Sequence, residues 1–275
     1  MEPDSLSKVA ADGVEIAYRS VGKGSPLLLL NGFAAASEDW DPSFIHRLAS
    51  SNQLILLDNR GLGGSTDDGH SFGIHELADD AAHVIKALGF KRTNVLGWSM
   101  GGYIAQALAL EHTDCVDKLI LLSTDSGAAK ADLASAAVWS KLIDTSGTPS
   151  EQAQRLLSLL FPAEVAESFY RIFGNIVAKA RAQLPPDLLR RQAAAMDAWH
   201  RVGVAGKLKE IDAPVLIATG TEDIVIPSSN SLKLANAIPG AWLAQFRRSG
   251  HAFIAQYPQR VAELINTFLA SEDAR

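Results

Sequence analysis

The sequence lacks most of what would staple or anchor a chain from outside. Its 275 residues hold one cysteine, Cys115, which excludes an internal disulfide framework and a CxxC metal or redox site. Cys115 stands beside Val116 at the start of a strand-like run and reads as a packed thiol. No run comes near the roughly 18 consecutive apolar residues that a membrane span requires. The opening "MEPDSLSKVAADG" is acidic and has no apolar centre, so it does not read as a signal peptide. Basic clusters are also missing. Lys and Arg number 25 against 31 Asp and Glu, for a net charge of −6, and the local pairs Arg190-Arg191 and Arg247-Arg248 are too short to be more than solvated surface. Binding to phosphate backbones needs a clustered basic face, so nucleic acid is not an expected partner, and neither is a membrane. Internal repeats, low-complexity segments and flexible linkers are absent. What remains is a soluble, cytoplasmic globular protein. With 47% hydrophobic residues it can bury a large core, as one large α/β domain or two ordinary ones.

Short, continuously apolar runs are plentiful: "PLLLLN" (26–31), "QLILLD" (53–58), "TNVLGW" (93–98), "VDKLILLS" (116–123), "PVLIATG" (214–220) and "AWLAQF" (241–246). Runs without alternation suit strands buried on both faces, as in a parallel sheet covered by helices. Helical patterns lie between them, over 37–50, 74–88, 100–112, 228–237 and 258–270. This alternation predicts a mostly parallel, doubly wound α/β sheet whose carboxyl ends form one ligand-binding edge. "GVEIAYRSVG" follows the turn dipeptide Asp12-Gly13 and reads as an antiparallel edge strand paired with the residues before it. Residues 127–207 break the alternation. They carry only helical patterns, with Pro149, Pro162, Pro185 and Pro186 at helix starts. The expected organisation is therefore a core made of 1–126 and 208–275, with 127–207 as an inserted helical lid above the carboxyl edge.

One stretch carries chemistry at that edge. In "NVLGWSMGGYIAQ", Gly97-Trp98-Ser99-Met100-Gly101 fits G-x-S-x-G, with an apolar strand before it and a helix after it. A strand-to-helix turn this sharp strains its central residue, and side chains two positions away would collide. The turn aims the Ser99 hydroxyl out of the sheet edge, next to a helix N-terminus that favours developing negative charge. An ordinary serine N-cap is the plainer alternative.

A serine hydroxyl needs a base. Seven histidines compete: His46, His70, His75, His83, His112, His200 and His251. Most fall in helical patterns or on the surface. His251 follows the last apolar strand and comes after the serine in chain order, and His200 is a distant second. The base needs a carboxylate. Asp223, three residues after the strand-ending Gly220, is preferred on loop position and order. Asp125, in "LLSTDSG", is its rival, and Glu222 should point elsewhere. The expected oxyanion donors are the backbone N–H groups of Met100, just after the serine, and of Phe33, after the turn at Asn31-Gly32.

Together these features resemble the α/β-hydrolase fold superfamily, in particular its lidded, cofactor-free Ser-His-Asp members. "GWSMGG" is similar to the nucleophile elbow, "DNRGLGGS" (58–65) to the D-x-R-G-x-G-x-S loop, "GTEDIVIP" to the acid loop and "SGHAF" to the histidine loop. The resemblance covers nearly the whole chain. It implies a catalytic Ser99, Asp223 and His251, no metal and no organic cofactor, with Asp58 and Arg60 bracing a loop. Many relatives carry His-Gly where this chain has Asn31-Gly32, a departure that bears on the shape of the oxyanion loop. A serine at the elbow argues against epoxide opening and dehalogenation, for which relatives use aspartate.

The expected reaction is hydrolysis of a carboxylic ester or lactone of a small, largely apolar molecule through an acyl-enzyme. The candidate pocket residues are Trp98, Trp139, Phe161, Trp199, Val225 and Phe253, together with Phe33 and Met100. Three other readings stand beside it. One is a cofactor-free haloperoxidase or perhydrolase. The second is a hydrolase of a C–C bond or enol-lactone, whose carboxylate-bearing substrates would want Arg171, Arg181, Arg190 or Arg191 of the lid. The third is a small-molecule receptor that keeps the same three residues.

Overall fold

The apolar runs become the strands of one sheet in a computed structural model that describes residues 6–272. Residues 1–5 of the opening stretch, and 273–275, lie outside the described residues. The strands are β1 (Ser7–Ala11), β2 (Val14–Val21), β3 (Ser25–Leu30), β4 (Asn52–Leu57), β5 (Thr93–Trp98), β6 (Val116–Leu122), β7 (Val215–Gly220) and β8 (Trp242–Phe246). Their order across the sheet is β1-β2-β4-β3-β5-β6-β7-β8. β3 through β8 pair in parallel, and only the β1–β2 and β2–β4 pairings are antiparallel. The "GVEIAYRSVG" segment is therefore not at the edge. β1 takes that place, and β2 bonds β4 on its far side, from Tyr18 opposite Leu57 to Val21 opposite Leu54.

The helices are α1 (Pro42–Ala49), α2 (Ile74–Ala87), α3 (Met100–Glu111), α4 (Ala136–Ile143), α5 (Pro149–Leu160), α6 (Ala163–Ala182), α7 (Pro186–Val202), α8 (Ser229–Ala237), α9 (Phe253–Gln256) and α10 (Pro258–Ala270). Period-2 geometry sends alternate strand residues to opposite faces. Leu28, Leu30, Val95, Leu119 and Ile217 join one core with α2, α3 and α8. Leu27, Leu29, Leu96, Ile120 and Leu216 join the other with α1 and α10. Both faces are covered, which is why these runs show no polar alternation.

Residues 127–207 form α4 to α7, with no strand among them. Pro149 and Pro186 occupy first-turn positions, and Thr148 and Glu151 form a capping box on α5. The two ends of the insertion meet. Val204 N donates to Ser126 O at 2.8 Å, and Gly127 (φ 65°) and Gly203 (φ 50°) lie back to back. A Cβ on Gly203 would stand 2.4 Å from Ser126 O, so only glycine allows this closure. No helix of the described residues is long and apolar enough to cross a membrane.

Candidate active site

Ser99 is the junction between β5 and α3. Its backbone sits at φ 58°, ψ −123°, a region that L-residues avoid. The turn is held by Ser99 N donating to Leu122 O (2.9 Å), Gly102 N to Ser99 O (2.9 Å) and Thr124 Oγ1 to Ser99 O (3.0 Å). The glycines around it are steric necessities. A Cβ on Gly97 would lie 2.2 Å from Gly101 O, one on Gly101 2.0 Å from Leu30 O, and one on Gly102 2.4 Å from Thr124 Oγ1. The Ser99 hydroxyl makes no capping hydrogen bond to the helix it precedes, so it is not spent as an N-cap.

His251 and Asp223 meet beside it. His251 Nδ1 lies 2.8 Å from Asp223 Oδ2, with both side chains almost wholly buried. Asp223 Oδ1 accepts the Val225 and Ile226 N–H groups at 2.9 Å each. With a carboxylate oxygen as the acceptor, Nδ1–H is the donor of this contact, an arrangement that leaves Nε2 as the accepting nitrogen of the ring. Two glycines let the histidine loop pack here. A Cβ on Gly220 would meet Gly250 O at 2.3 Å, and one on Gly250 would meet Leu160 O at 2.6 Å. Trp98 Nε1 donates to His251 O at 3.1 Å, and its ring lies 5.2 Å from the imidazole. Glu222 is exposed.

Asp125 is engaged elsewhere. It accepts the Tyr103 hydroxyl (2.8 Å) and the Gly127 N–H (2.7 Å), and His200 Nε2 of α7 is 3.6 Å away. Burial, and then the charge of Asp125, push the Tyr103 phenol well above its ordinary range, so it stays a neutral donor. His75 pairs with Glu111 (2.5 Å) and His112 with Asp79 (2.7 Å), while His83 bonds Asp79 O (2.9 Å). His46 and His70 are exposed.

Ser99 and His251 open onto a cavity of about 250 Å³ between the sheet edge and the inserted helices. Of the sequence candidates, Phe33, Trp98, Phe161 and Val225 line it. Trp139, Trp199, Phe253 and the Met100 side chain do not. Trp199 of α7 stacks on Tyr103 at 5.2 Å, and Trp139 of α4 meets the edge of His200 at 5.8 Å, so the two helices turn these side chains towards the Asp125 cluster. Phe253 is fully buried against Phe246 on the α1/α10 side of the sheet. Met100 is sealed in the opposite core and offers the site only its backbone. The cavity wall that sequence reasoning missed comes from α5 and α6. Phe173, Ile176, Val177 and Ala180 line it, and with them Arg181, the one of the four candidate lid arginines found there, at the i, i+3, i+4, i+7, i+8 spacing of one helical face. That period was legible, but the direction the face points was not. Trp40, on the loop after β3, was missed as well.

The loop after β3 is fixed from three sides. Asn31 Nδ2 donates to Ala36 O and its Oδ1 accepts Gly32 N, each at 2.8 Å. Asn31 thus closes the loop on itself. Ala34 N donates to Gln192 Oε1 of α7 at 2.9 Å. Asp58 accepts Ser37 N (2.6 Å) and Gly64 N (2.9 Å), and Arg60 donates twice to Asp80 (2.8 and 2.7 Å). Among the described residues no hydrogen-bond partner is found for Phe33 N, between these two held neighbours. Met100 N, in the first turn of α3, has no acceptor four residues back. Gly32 places no side chain between them and the serine. A Cβ there would stand 3.1 Å from Ser99 Cβ.

Comparison with known proteins bears on the fold. A family model described as the alpha/beta hydrolase fold matches residues 25–265. A putative carbamate hydrolase, RutD, of Azorhizobium caulinodans is 30% identical over 264 residues, covering 94% of this chain and 96% of its own. A poly(3-hydroxyalkanoate) depolymerase of Ectopseudomonas oleovorans is 28% identical, covering 91% and 86%. Among solved structures, the esterase RhEst1 from Rhodococcus sp. ECU1013 superposes with a TM-score of 0.84 at 25% identity, covering 98% of this chain and 100% of that one.

Proposed function

The chain belongs to the alpha/beta hydrolase fold family, and from that premise we propose that it cleaves a carboxylic ester of a small, largely apolar substrate through Ser99, His251 and Asp223. The observation that carries this reading is the buried His251–Asp223 contact of 2.8 Å, opening with Ser99 onto one apolar cavity. His251 Nε2 takes the Ser99 proton as the oxygen attacks the ester carbonyl carbon. Asp223 stays ionised and stabilises the imidazolium. The Phe33 and Met100 N–H groups receive the oxyanion. The C–O bond breaks, the alcohol leaves with the proton from Nε2, and water then releases the acid by the same steps in reverse roles. Helices α4 to α7 act as the cap that keeps bulk water from the acyl-enzyme.

Relatives named putative carbamate hydrolase, poly(3-hydroxyalkanoate) depolymerase and esterase support a hydrolase reading, and the esterase is the one whose name matches the bond proposed here. A p-nitrophenyl ester series from acetate to decanoate tests the proposal. Short to medium chains should be preferred, and Ser99→Ala should lose at least about 10³-fold in kcat. Equal rates from wild type and Ser99→Ala would overturn the assignment.

A further inference from the structure

Two arginines of the described residues are less than one-tenth exposed, Arg60 and Arg181. Arg60 is gripped by both oxygens of Asp80. Arg181, in the last turn of α6, has no carboxylate of the described residues within ion-pair reach. Among the described residues its side chain makes one hydrogen bond, a long one, from Nε to Gln152 Oε1 at 3.4 Å. Its neighbour Arg155 is already committed to Asp144, at 3.4 Å, and repels it. Burial first, then Arg155, hold the Arg181 guanidinium below its ordinary value, yet a guanidinium remains charged in a folded protein. Asp144 acts on it only from beyond ion-pair reach, and a desolvated cation with no carboxylate paired to it is costly. This one faces the cavity, among Leu142, Leu156, Val177 and Ala180.

The acidic side chains that also line the cavity are already occupied. Glu38 pairs with Arg19, Asp39 accepts Ala36 N (2.7 Å), and Asp41 caps α1 through Phe44 N (2.8 Å). The missing paired carboxylate is therefore one that a ligand can supply. The planar fork of a guanidinium matches the two oxygens of a carboxylate. The position of the fork also sets a length. Gln152, which Arg181 touches, and Leu160, whose carbonyl accepts Ala252 N at 3.0 Å beside His251, are eight residues apart on α5. Eight helical residues span about 12 Å.

We propose that the cavity takes an ester with an apolar middle and a free carboxylate at its far end, held by Arg181 while the ester carbonyl sits at Ser99. The proposal rests on the ester-hydrolase reading above and narrows its substrate class. Hydrolysis consumes one water and leaves a dicarboxylate and an alcohol, and the distal carboxylate is unchanged throughout.

The test compares monomethyl esters of the C4 to C10 dicarboxylic acids with methyl esters of monocarboxylic acids of equal length. Wild type should favour the charged series at least about 10-fold in kcat/KM at its best length, chiefly through KM. Arg181→Met should lose about 10- to 100-fold on that series. Its loss on p-nitrophenyl acetate, which is too short to reach position 181, should be smaller than on that series. Arg181→Lys should recover part of the loss. A wild type that treats both series alike, or an Arg181→Met that weakens both equally, would overturn the proposal while leaving Ser99-dependent ester cleavage standing. Calorimetric binding of suberate to Ser99→Ala, with and without Arg181→Lys, reads the site without catalysis. Binding weakened by Arg181→Lys supports the proposal, and no binding overturns it. Ester rates indifferent to Ser99→Ala would instead sink the hydrolase reading.

Discussion

Two aspartates leave the same edge of the same sheet, and each lies near a histidine. Asp223, after β7, is 2.8 Å from His251. Asp125, after β6, is 3.6 Å from His200, and the Tyr103 hydroxyl bonds the carboxylate oxygen that faces that histidine. Residue type and sheet position are alike, so they do not separate the two. What separates them is what else the carboxylate holds and where the histidine comes from. Asp223 spends its second oxygen on its own turn and offers the first to a histidine of the core. Asp125 is claimed by a fully buried phenol, and its histidine belongs to the inserted helix α7. The first arrangement orients an imidazole towards a cavity. The second ties the insertion to α3.

The largest effect expected from this contrast is on rate. Asp223→Asn should cost about 10⁴-fold in kcat, because the amide no longer fixes the tautomer of His251. Asp125→Asn should cost less than about tenfold. Steady-state kinetics of the pair decide it, and a reversal of the two would make Asp125 the working acid. Next comes the link between insertion and core that bears on the reaction. Gln192→Leu removes the acceptor of Ala34 N and should lower kcat about tenfold, with little change in KM, because the Phe33 amide beside it loses its placement. Tyr103→Phe should leave kcat nearly unchanged. It strands Asp125 with its burial uncompensated and should cost about 1–3 kcal/mol of stability, read by denaturant unfolding. The smallest effect concerns acid. Its hydrogen bond from Arg191 of α7, before other causes, holds the Asp67 carboxyl below the usual range. A depressed folded value stabilises above the unfolded carboxylate value, about pH 4, and that contribution is lost as pH falls through the folded value. Amide exchange in α7 should therefore accelerate in that acid window for wild type, and less so for Asp67→Asn.

Local constraint explains what the sequence revealed. The turn at Ser99 needs glycine at 97, 101 and 102 because backbone and Thr124 atoms crowd those positions, so the need is written in consecutive letters. Asp223 and His251 lie on short loops after apolar strands, and strand order alone brings those loops together. The alternating faces of β3 to β7 explain the continuous apolar runs. Pocket membership was less legible. Trp139 and Trp199 are on the insertion, as expected, but the rotation of α4 and α7 takes them to His200 and Tyr103. Phe253 follows His251 by two residues, and the short helix α9 carries it beneath the sheet. The lining face of α6 repeats at helical spacing, yet spacing does not say which neighbour a face meets. β2 was mistaken for an edge because its partner β4 lies more than thirty residues away.

The stitched ends of the helical insertion carry one more consequence. Ser126 and Val204 are hydrogen-bonded neighbours, so the sheet meets those helices through a gap no wider than an ordinary turn. What lies between the two glycines can change in length while β6 and β7 keep their register, provided that the Gln192 contact with Ala34 N is kept. New specificities need not be invented alongside a new reaction centre, and a chimera joined at Gly127 and Gly203 is the natural place to graft a foreign roof onto this scaffold.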